Sequence, residues 1–452
     1  MVHGARSRAM ASSGSSQRPA AAEDTRPPRV VGTLGASLMS VNGMIGAGIF
    51  ALPALLFDRT GQFAPWMFLI FGALFACTML IAAQLATMFR ASGGPQLYAQ
   101  AAFGPTVGFQ VGWLLVIAMA AGRAATLHVL VSYLAVFFPA LDGPIARPAA
   151  ITALLAALGG LTLSGMRRAV GGLMVGTVLK VTPIVVLCIA AFAAGGIATS
   201  FKLPSFGTFE SVALLVYFAY SGATNPVCSA GEVRNPRRTL PRSMLLSLAI
   251  IIAFYMMVQW AYIAAGAPGG SDGTPLAAAA GAVMGPAGVV ALTLAAVFSI
   301  ASNALAGFVG GSRVIFGMAE RKLLPNSFAH VSPRFLTPDA GIALFTLLVA
   351  SIALSGKFAF LAEVTALGAQ IITLCLIAAF VVFRFRGREG HAKGMSLPWW
   401  GVVAVASAFS IYAALQAPLK AYVLIAVLLV VGTLLAMVAH RGAVAQPLPI
   451  YK

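Results

Sequence analysis

The chain has 452 residues, of which 60% are hydrophobic and 9% are charged. A soluble domain carries roughly 25% charged residues, so this composition excludes a soluble protein. The net charge of +18 would suit a nucleic-acid partner, but no polar segment interleaves a basic patch with aromatic residues, and nucleic acid is therefore discounted.

The apolar residues come in long blocks, and residues 63–89 and 244–271 contain no formal charge. Both blocks exceed the roughly 20 residues that cross a bilayer as a helix. Backbone in lipid must satisfy its own hydrogen bonds, which favours helices. The sequence predicts an all-α membrane protein of about twelve transmembrane helices, near residues 31–56, 64–89, 106–138, 148–165, 171–195, 209–230, 243–266, 286–311, 338–355, 358–382, 398–416 and 419–439.

The basic residues predict the orientation. If both termini are cytoplasmic, the cytoplasmic segments hold most of the 29 lysines and arginines, as the positive-inside rule requires. We therefore expect a multi-pass protein of the inner or plasma membrane with both termini in the cytoplasm. Residues 1–29, rich in Ala, Ser, Arg and Pro, are predicted to form a disordered cytoplasmic tail, and residues 441–452 a second tail. No loop is long enough to form a separate domain.

Two predicted spans are interrupted by glycine and proline. The first has three glycines within residues 43–48, followed by Pro53, and the sixth has Gly222 and Pro226. Glycine costs a helix interior about 1 kcal/mol and proline about 3 kcal/mol, so both spans are predicted to unwind at mid-membrane. Close packing of neighbouring helices on small residues is the alternative explanation.

An unwound stretch within the bilayer has a functional use. Such backbone is tolerated where it is buried in protein or lines a cavity. Its free amides attract an anionic group and its free carbonyls a cation, so a zwitterion such as an amino acid matches both. Breaks that lie five spans apart predict inverted repeats with a binding site at their interface.

Over about residues 30–390, the chain resembles the amino acid–polyamine–organocation transporter superfamily. Five sequence stretches, in the family's order, carry the resemblance. They are residues 45–50 (IGAGIF), 92–95 (SGGP) with Tyr98, 102–105 (AFGP), 218–222 (FAYSG) and 231–242 (GEVRNPRRTLPR). Residues 312–313 (SR) and 324–325 (LP) support it.

The resemblance implies a leucine transporter-type fold. Residues 30–200 would form the first inverted repeat of five helices, residues 201–390 the second, and residues 391–440 two further helices. Amides of the first span would hold a substrate carboxylate, and these are Gly46, Ala47 and Gly48. Carbonyls of both broken spans would hold the amino group, and these belong to Ile45, Phe218, Ala219 and Ser221. The Phe218 ring would occupy the family's aromatic gating position.

Two departures from the family pattern concern substrate charge. Many members have an acidic residue in the second span where this sequence has Gln84, and another where it has Thr224. Thr224 can form a hydrogen bond to a substrate, but it cannot neutralise a second cationic group. The departures therefore disfavour arginine, lysine and polyamines as substrates.

Three ionisable residues fall within predicted spans, where such residues are rare and usually functional. Lys180 lies near mid-membrane, where burial disfavours the charged form of a lysine. The resemblance implies that it replaces a sodium ion, and we expect it to contact the eighth span at Ser302 or Asn303. A purely structural tether is the alternative. Arg123 is interpreted as a fixed cation bonded to helix-end carbonyls, and Glu363 as a structural acid near a helix N-terminus.

The sequence thus predicts a secondary active transporter of a neutral or small amino acid or amine. Proton symport or exchange would drive it, with alternating access around the broken first and sixth helices. A transport-inactive amino acid sensor and a cationic amino acid or polyamine antiporter are the alternatives. An enzyme is disfavoured because the spans offer one acid and scattered histidines. The cysteines lie in apolar spans without paired spacing, so we predict no metal site, no disulfide and no cofactor. The expected partners are the substrate, protons and membrane lipid.

Overall fold

The computed structural model describes residues 32–89, 94–164, 173–196, 203–223, 233, 235–266, 273–386 and 394–440. Fourteen α-helices lie within these ranges. They are α1 (Thr33–Met44), α2 (Ala47–Thr60), α3 (Ala64–Met88), α4 (Gly94–Phe103), α5 (Pro105–Ala135), α6 (Ala146–Leu163), α7 (Leu173–Gly195), α8 (Phe206–Ala219), α9 (Pro236–Ala264), α10 (Pro275–Glu320), α11 (Asp339–Ala353), α12 (Phe358–Arg386), α13 (Leu397–Leu415) and α14 (Leu419–His440).

The predicted all-α, multi-pass membrane architecture is confirmed. Within the described ranges, eight stretches are long and apolar enough to cross a membrane, and one of these, Ala47–Met88, comprises α2 and α3. Three shorter apolar helices lie between them. The count of twelve spans, the two inverted repeats and the appended pair of helices stay predictions. The two predicted cytoplasmic tails, residues 1–29 and 441–452, lie outside the described residues.

Two elements differ from the sequence prediction. Helix α4 was not predicted, because its ten residues are too few and too polar to cross a bilayer; it packs along the start of α5, where glycines allow close approach. The predicted end of the eighth span at residue 311 is wrong, because α10 continues to Glu320. Its predicted start at residue 286 coincides with a kink at Gly285, whose φ of 67° suits glycine.

Helix α5 forms the centre of the protein. Twenty-two of its 31 residues are buried, and it packs against α4, α10, α11 and α12. The last helix, α14, binds to it through Trp113, whose indole Nε1 donates to the Leu428 carbonyl at 2.8 Å. Gly432 makes this possible, because a Cβ atom there would overlap the indole.

The two halves of the broken first span lie inside the helical assembly. Helix α1 packs on α9, and α2 packs on α8 and α10. Ser37 Oγ donates to the Ser243 carbonyl at 3.2 Å, and Ser40 Oγ donates to the Ala223 carbonyl at 3.1 Å. The break between α1 and α2 is therefore enclosed by other helices, as unwound backbone in lipid requires.

Candidate substrate and coupling site

The predicted break in the first span is present. Helix α1 ends at Met44 and α2 begins at Ala47, and between them Ile45 (φ −73°, ψ 87°) and Gly46 (φ −138°, ψ −147°) are not helical. The segment is buried, and no side chain caps the N-terminus of α2. The first amides of a helix have no partner within it, so those near Gly46, Ala47 and Gly48 form a buried, positively polarised end.

Helix α8 ends within the stretch of the sixth span that the sequence predicts to unwind, and residues 224–232, where the span is predicted to resume, lie outside the described residues. Helix α8 ends at Ala219, and a turn follows in which Gly222 has a φ of 97°, a left-handed conformation that favours glycine. The two breaks touch each other. A Cβ atom on Gly222 would lie 2.6 Å from the Gly43 carbonyl oxygen, and one on Gly48 would lie 3.2 Å from the Cα of Ala219. Glycine is therefore needed at both positions for the broken spans to meet.

Tyr255 of α9 joins the two breaks through one hydroxyl group. The hydroxyl donates to the Met44 carbonyl at 2.7 Å and to the Ala219 carbonyl at 3.2 Å. These carbonyls end α1 and α8, where helical partners are missing. The tyrosine is fully buried, and its ring stacks on Tyr220 at 6.0 Å. One turn later in α9, Gln259 Nε2 donates to the Pro53 carbonyl at 3.0 Å.

Tyr255 and Gln259 were not predicted from the sequence as site residues. Their spacing of four residues places them on one face of a helix, within a block that otherwise consists almost entirely of apolar residues. Two hydrogen-bonding side chains in such a pattern were a usable signal. Nothing in the sequence, however, indicated that their partners were the ends of the broken spans.

Lys180 contacts the first break from α7. It is 4% exposed, and its Nζ donates to the carbonyls of Ile45 at 3.3 Å and Asn42 at 3.4 Å, and to the side-chain oxygen of Asn42. Within the described residues it forms no hydrogen bond to the eighth span. Ser302, an expected partner, instead donates to the Phe298 carbonyl of its own helix at 2.7 Å.

Asn303, the other expected partner of the lysine, contacts the break separately. Its Nδ2 donates to the Gly43 carbonyl at 3.2 Å. It accepts hydrogen bonds from Arg123 Nη1 at its side-chain oxygen and at its main-chain carbonyl, both at 2.7 Å. The interpretation that Arg123 binds helix-end carbonyls is wrong, because Asn303 lies in the interior of α10.

The remaining candidate residues lie at or after the end of α8. Phe218 is buried, and its ring meets Phe358 edge to face at 5.7 Å. The Ser221 amide donates to the Phe218 carbonyl at 3.0 Å. The Ile45 and Ala219 carbonyls each accept a side-chain hydrogen bond, from Lys180 and from Tyr255, and the Phe218 carbonyl accepts from main-chain amides. Thr224 lies outside the described residues.

The family model described as "Amino acid permease" matches residues 31–439 of the chain. The chain belongs to the amino acid permease family. This confirms the resemblance on which the fold and the transport hypothesis were based.

Several relatives of this permease are transporters by their descriptions. A serine/threonine exchanger of Bacillus subtilis is 26% identical over 408 residues, covering 86% of the permease and 91% of the exchanger. A vacuolar cationic amino acid transporter of Arabidopsis thaliana is 27% identical over 380 residues, covering 78% of the permease and 62% of that transporter. An uncharacterized transporter of Mycobacterium bovis is 28% identical over 338 residues, covering 72% of the permease and 73% of that transporter. The family and these relatives support amino acid transport and leave the substrate open.

Two further charged residues, Arg59 and Glu363, lie near the end of α2 and the start of α12. Glu363 is partly buried near the start of α12 and interacts electrostatically with Arg59 at the end of α2. Arg59 also donates to the Ser211 carbonyl of α8. Glu363 therefore lies within electrostatic range of the end of α2, and its structural role stays a prediction.

Proposed function

We propose that this permease is a secondary active transporter of neutral or small amino acids that works by alternating access around the breaks of the first and sixth spans. One observation carries the proposal: the uncapped, buried N-terminus of α2 lies in contact with the carbonyl end of α8. An amide-rich end attracts a carboxylate, and a carbonyl-rich end attracts an ammonium group. A zwitterion is the ligand that satisfies both.

In the proposed binding mode, the amides near Gly46, Ala47 and Gly48 hold the substrate carboxylate. The carbonyls of Ile45, Phe218, Ala219 and Ser221 accept from the amino group. Thr224 would form a hydrogen bond to the substrate side chain. The Phe218 ring, which already packs on α12, would close the site towards the outside.

Lys180 is proposed as the coupling residue. Its ammonium group donates to the segment 42–45 and holds α7 against the break. Loss of the proton would weaken these bonds and free the first span to move. A proton drives a conformational change if it binds the two states with different affinity, and alternating exposure of a buried lysine supplies that difference. Transport would then be independent of sodium.

One competing function has specific support. Relatives described as cationic amino acid transporters favour the antiporter alternative. A sensor with the same fold would bind an amino acid without moving it. The relative described as a serine/threonine exchanger favours exchange of small neutral amino acids, and the absence of an acid at residues 223–224 points the same way. We also propose a location in the cell membrane with both termini in the cytoplasm.

Reconstituted proteoliposomes test the proposal. Uptake of the twenty labelled amino acids would be measured with and without sodium, with and without an imposed pH gradient, and with empty or amino acid-loaded vesicles. We expect uptake of small neutral amino acids that does not need sodium. Stimulation by the gradient would identify proton symport, and a requirement for internal amino acid would identify exchange. Binding without uptake under every condition would favour the sensor, and a strict sodium requirement would contradict the coupling role of Lys180.

A further inference from the structure

Two basic side chains reach the first break from different helices. Lys180 of α7 binds it directly, and Arg123 of α5 binds it through Asn303. Within the residues that the structure describes, no carboxylate forms a hydrogen bond or ion pair with either of them. A buried charge is normally paired, so positive charge without a protein counter-ion lies at the place where we propose that the substrate binds.

Arg123 is the permanent part of this charge. A guanidinium group stays protonated in almost any protein setting, whereas the proposed coupling role has Lys180 gain and lose its proton. The contact between Arg123 and the break is short. Asn303, which accepts two bonds from the guanidinium, lies 3.0 Å from the place where a Cβ atom on Gly46 would be. The charge is therefore one side chain away from the amides proposed to hold the carboxylate.

The guanidinium group also has an unused donor. Its Nε is buried and has no hydrogen-bond partner among the described residues, although a buried N–H without a partner is unfavourable. Gly307 gives the side chain its place, because a Cβ atom there would overlap the arginine. Arg123 is thus packed closely on α10 with one of its donors unpaired.

We propose that Arg123 is a charge filter for the substrate site, which excludes amino acids with a cationic side chain and admits those whose side chain is neutral or anionic. A second positive charge on the substrate would be repelled at short range in a medium of low dielectric constant, and a carboxylate would be attracted. The proposal rests on the proposed function. It decides between neutral and cationic amino acids as substrates, a choice that the serine/threonine exchanger and the cationic amino acid transporters among the relatives do not settle.

Binding of three small amino acids tests the filter. L-asparagine, L-aspartate and L-2,4-diaminobutyrate have similar length, and at pH 7 their side chains are neutral, anionic and cationic. Dissociation constants would be measured by calorimetry on the purified full-length protein. In the original protein we expect asparagine to bind at least tenfold more tightly than diaminobutyrate, a difference of 1.4 kcal/mol.

Two substitutions remove the excess charge in different ways. Arg123→Gln deletes the cation, and Asn303→Asp leaves it in place but pairs it with a carboxylate. Both should improve diaminobutyrate binding relative to asparagine about tenfold and weaken aspartate binding relative to asparagine. Arg123→Lys keeps the charge and should preserve both ratios within about threefold. Arg147→Gln is the matched control, because Arg147 pairs with Asp142 at 2.7 Å, away from the break.

A role of Arg123 in folding alone would change all three affinities together and leave the ratios constant. If Arg123→Gln does not fold, Asn303→Asp decides the question. Two results would overturn the filter and leave the proposed function standing. In the first, the folded variants still bind asparagine and show the same affinity ratios among the three amino acids as the original protein. In the second, the original protein binds diaminobutyrate as tightly as asparagine. If the original protein binds no amino acid of the standard set, both proposals are refuted.

Discussion

Replacing Tyr255 with phenylalanine tests whether one hydroxyl group holds the two broken spans together. The substitution keeps the buried ring and its stacking on Tyr220 and removes only the oxygen. The Met44 and Ala219 carbonyls, 2.7 and 3.2 Å from that oxygen, then lose their donor. Since these carbonyls end α1 and α8, the binding site should lose part of its preorganisation.

The expected effect follows from the cost of an unsatisfied buried polar group, about 1–3 kcal/mol. The hydroxyl has a single proton, and the shorter bond to Met44 carries most of this energy. If this free energy is lost from the conformation that binds substrate, the apparent affinity for substrate should fall by about 5- to 150-fold. Turnover at saturating substrate should change less than affinity, because bound substrate restores the arrangement of the breaks.

Tyr220→Phe is the matched control. Its ring is the stacking partner of Tyr255, it is equally buried, and its hydroxyl donates at 2.6 Å to the Phe68 carbonyl in α3, not to a break. Both variants should lower the thermal unfolding midpoint by a similar amount, but only Tyr255→Phe should weaken substrate binding. Equal loss of affinity in the two variants, or no loss in Tyr255→Phe, would refute the reasoning. Dissociation constants from calorimetry and melting curves in detergent provide both measurements.

Four further substitutions have expected outcomes. Gly48→Leu should abolish substrate binding, measured by calorimetry on monodisperse protein, because even a Cβ atom there lies 3.2 Å from the α8 backbone; normal affinity would place the substrate elsewhere. Lys180→Ala should lose coupled accumulation in proteoliposomes and retain some binding, and a pH profile identical to that of the original protein would contradict the coupling role. Gly432→Ala should lower stability by about 1–3 kcal/mol without changing substrate affinity, because the new methyl group overlaps Trp113. Gly401→Ala, in an exposed and open part of a helix, should raise stability by about 0.4–1 kcal/mol. Thermal unfolding of Gly432→Ala and Gly401→Ala would be compared with that of the original protein.

The sequence alone determined the class of protein and the places where its helices break. A composition with 9% charged residues in long apolar blocks permits only membrane helices, because lipid offers the backbone no hydrogen-bond partners. The apolar blocks predict the interiors of the helices but not all of their ends, since α9 begins at Pro236 and α10 ends at Glu320 where the sequence predicts residues 243 and 311. The break at Ile45 and Gly46 was also readable, since glycine and proline act through the local backbone. Lys180 stood out because a charge at mid-membrane is costly.

The tertiary structure decided how these local features meet. Tyr255 and Met44 are 211 residues apart in sequence, and Arg123 and Asn303 are 180 apart. Hydrophobic pattern shows that a residue lies in a span, but membrane helices are apolar nearly all round, so the pattern does not show which face meets which neighbour. That choice depends on close packing of small residues and on a few hydrogen bonds between helices. For this reason Asn303 binds Gly43 and Arg123 instead of Lys180, a pairing fixed by the way α5, α10 and the first break pack together.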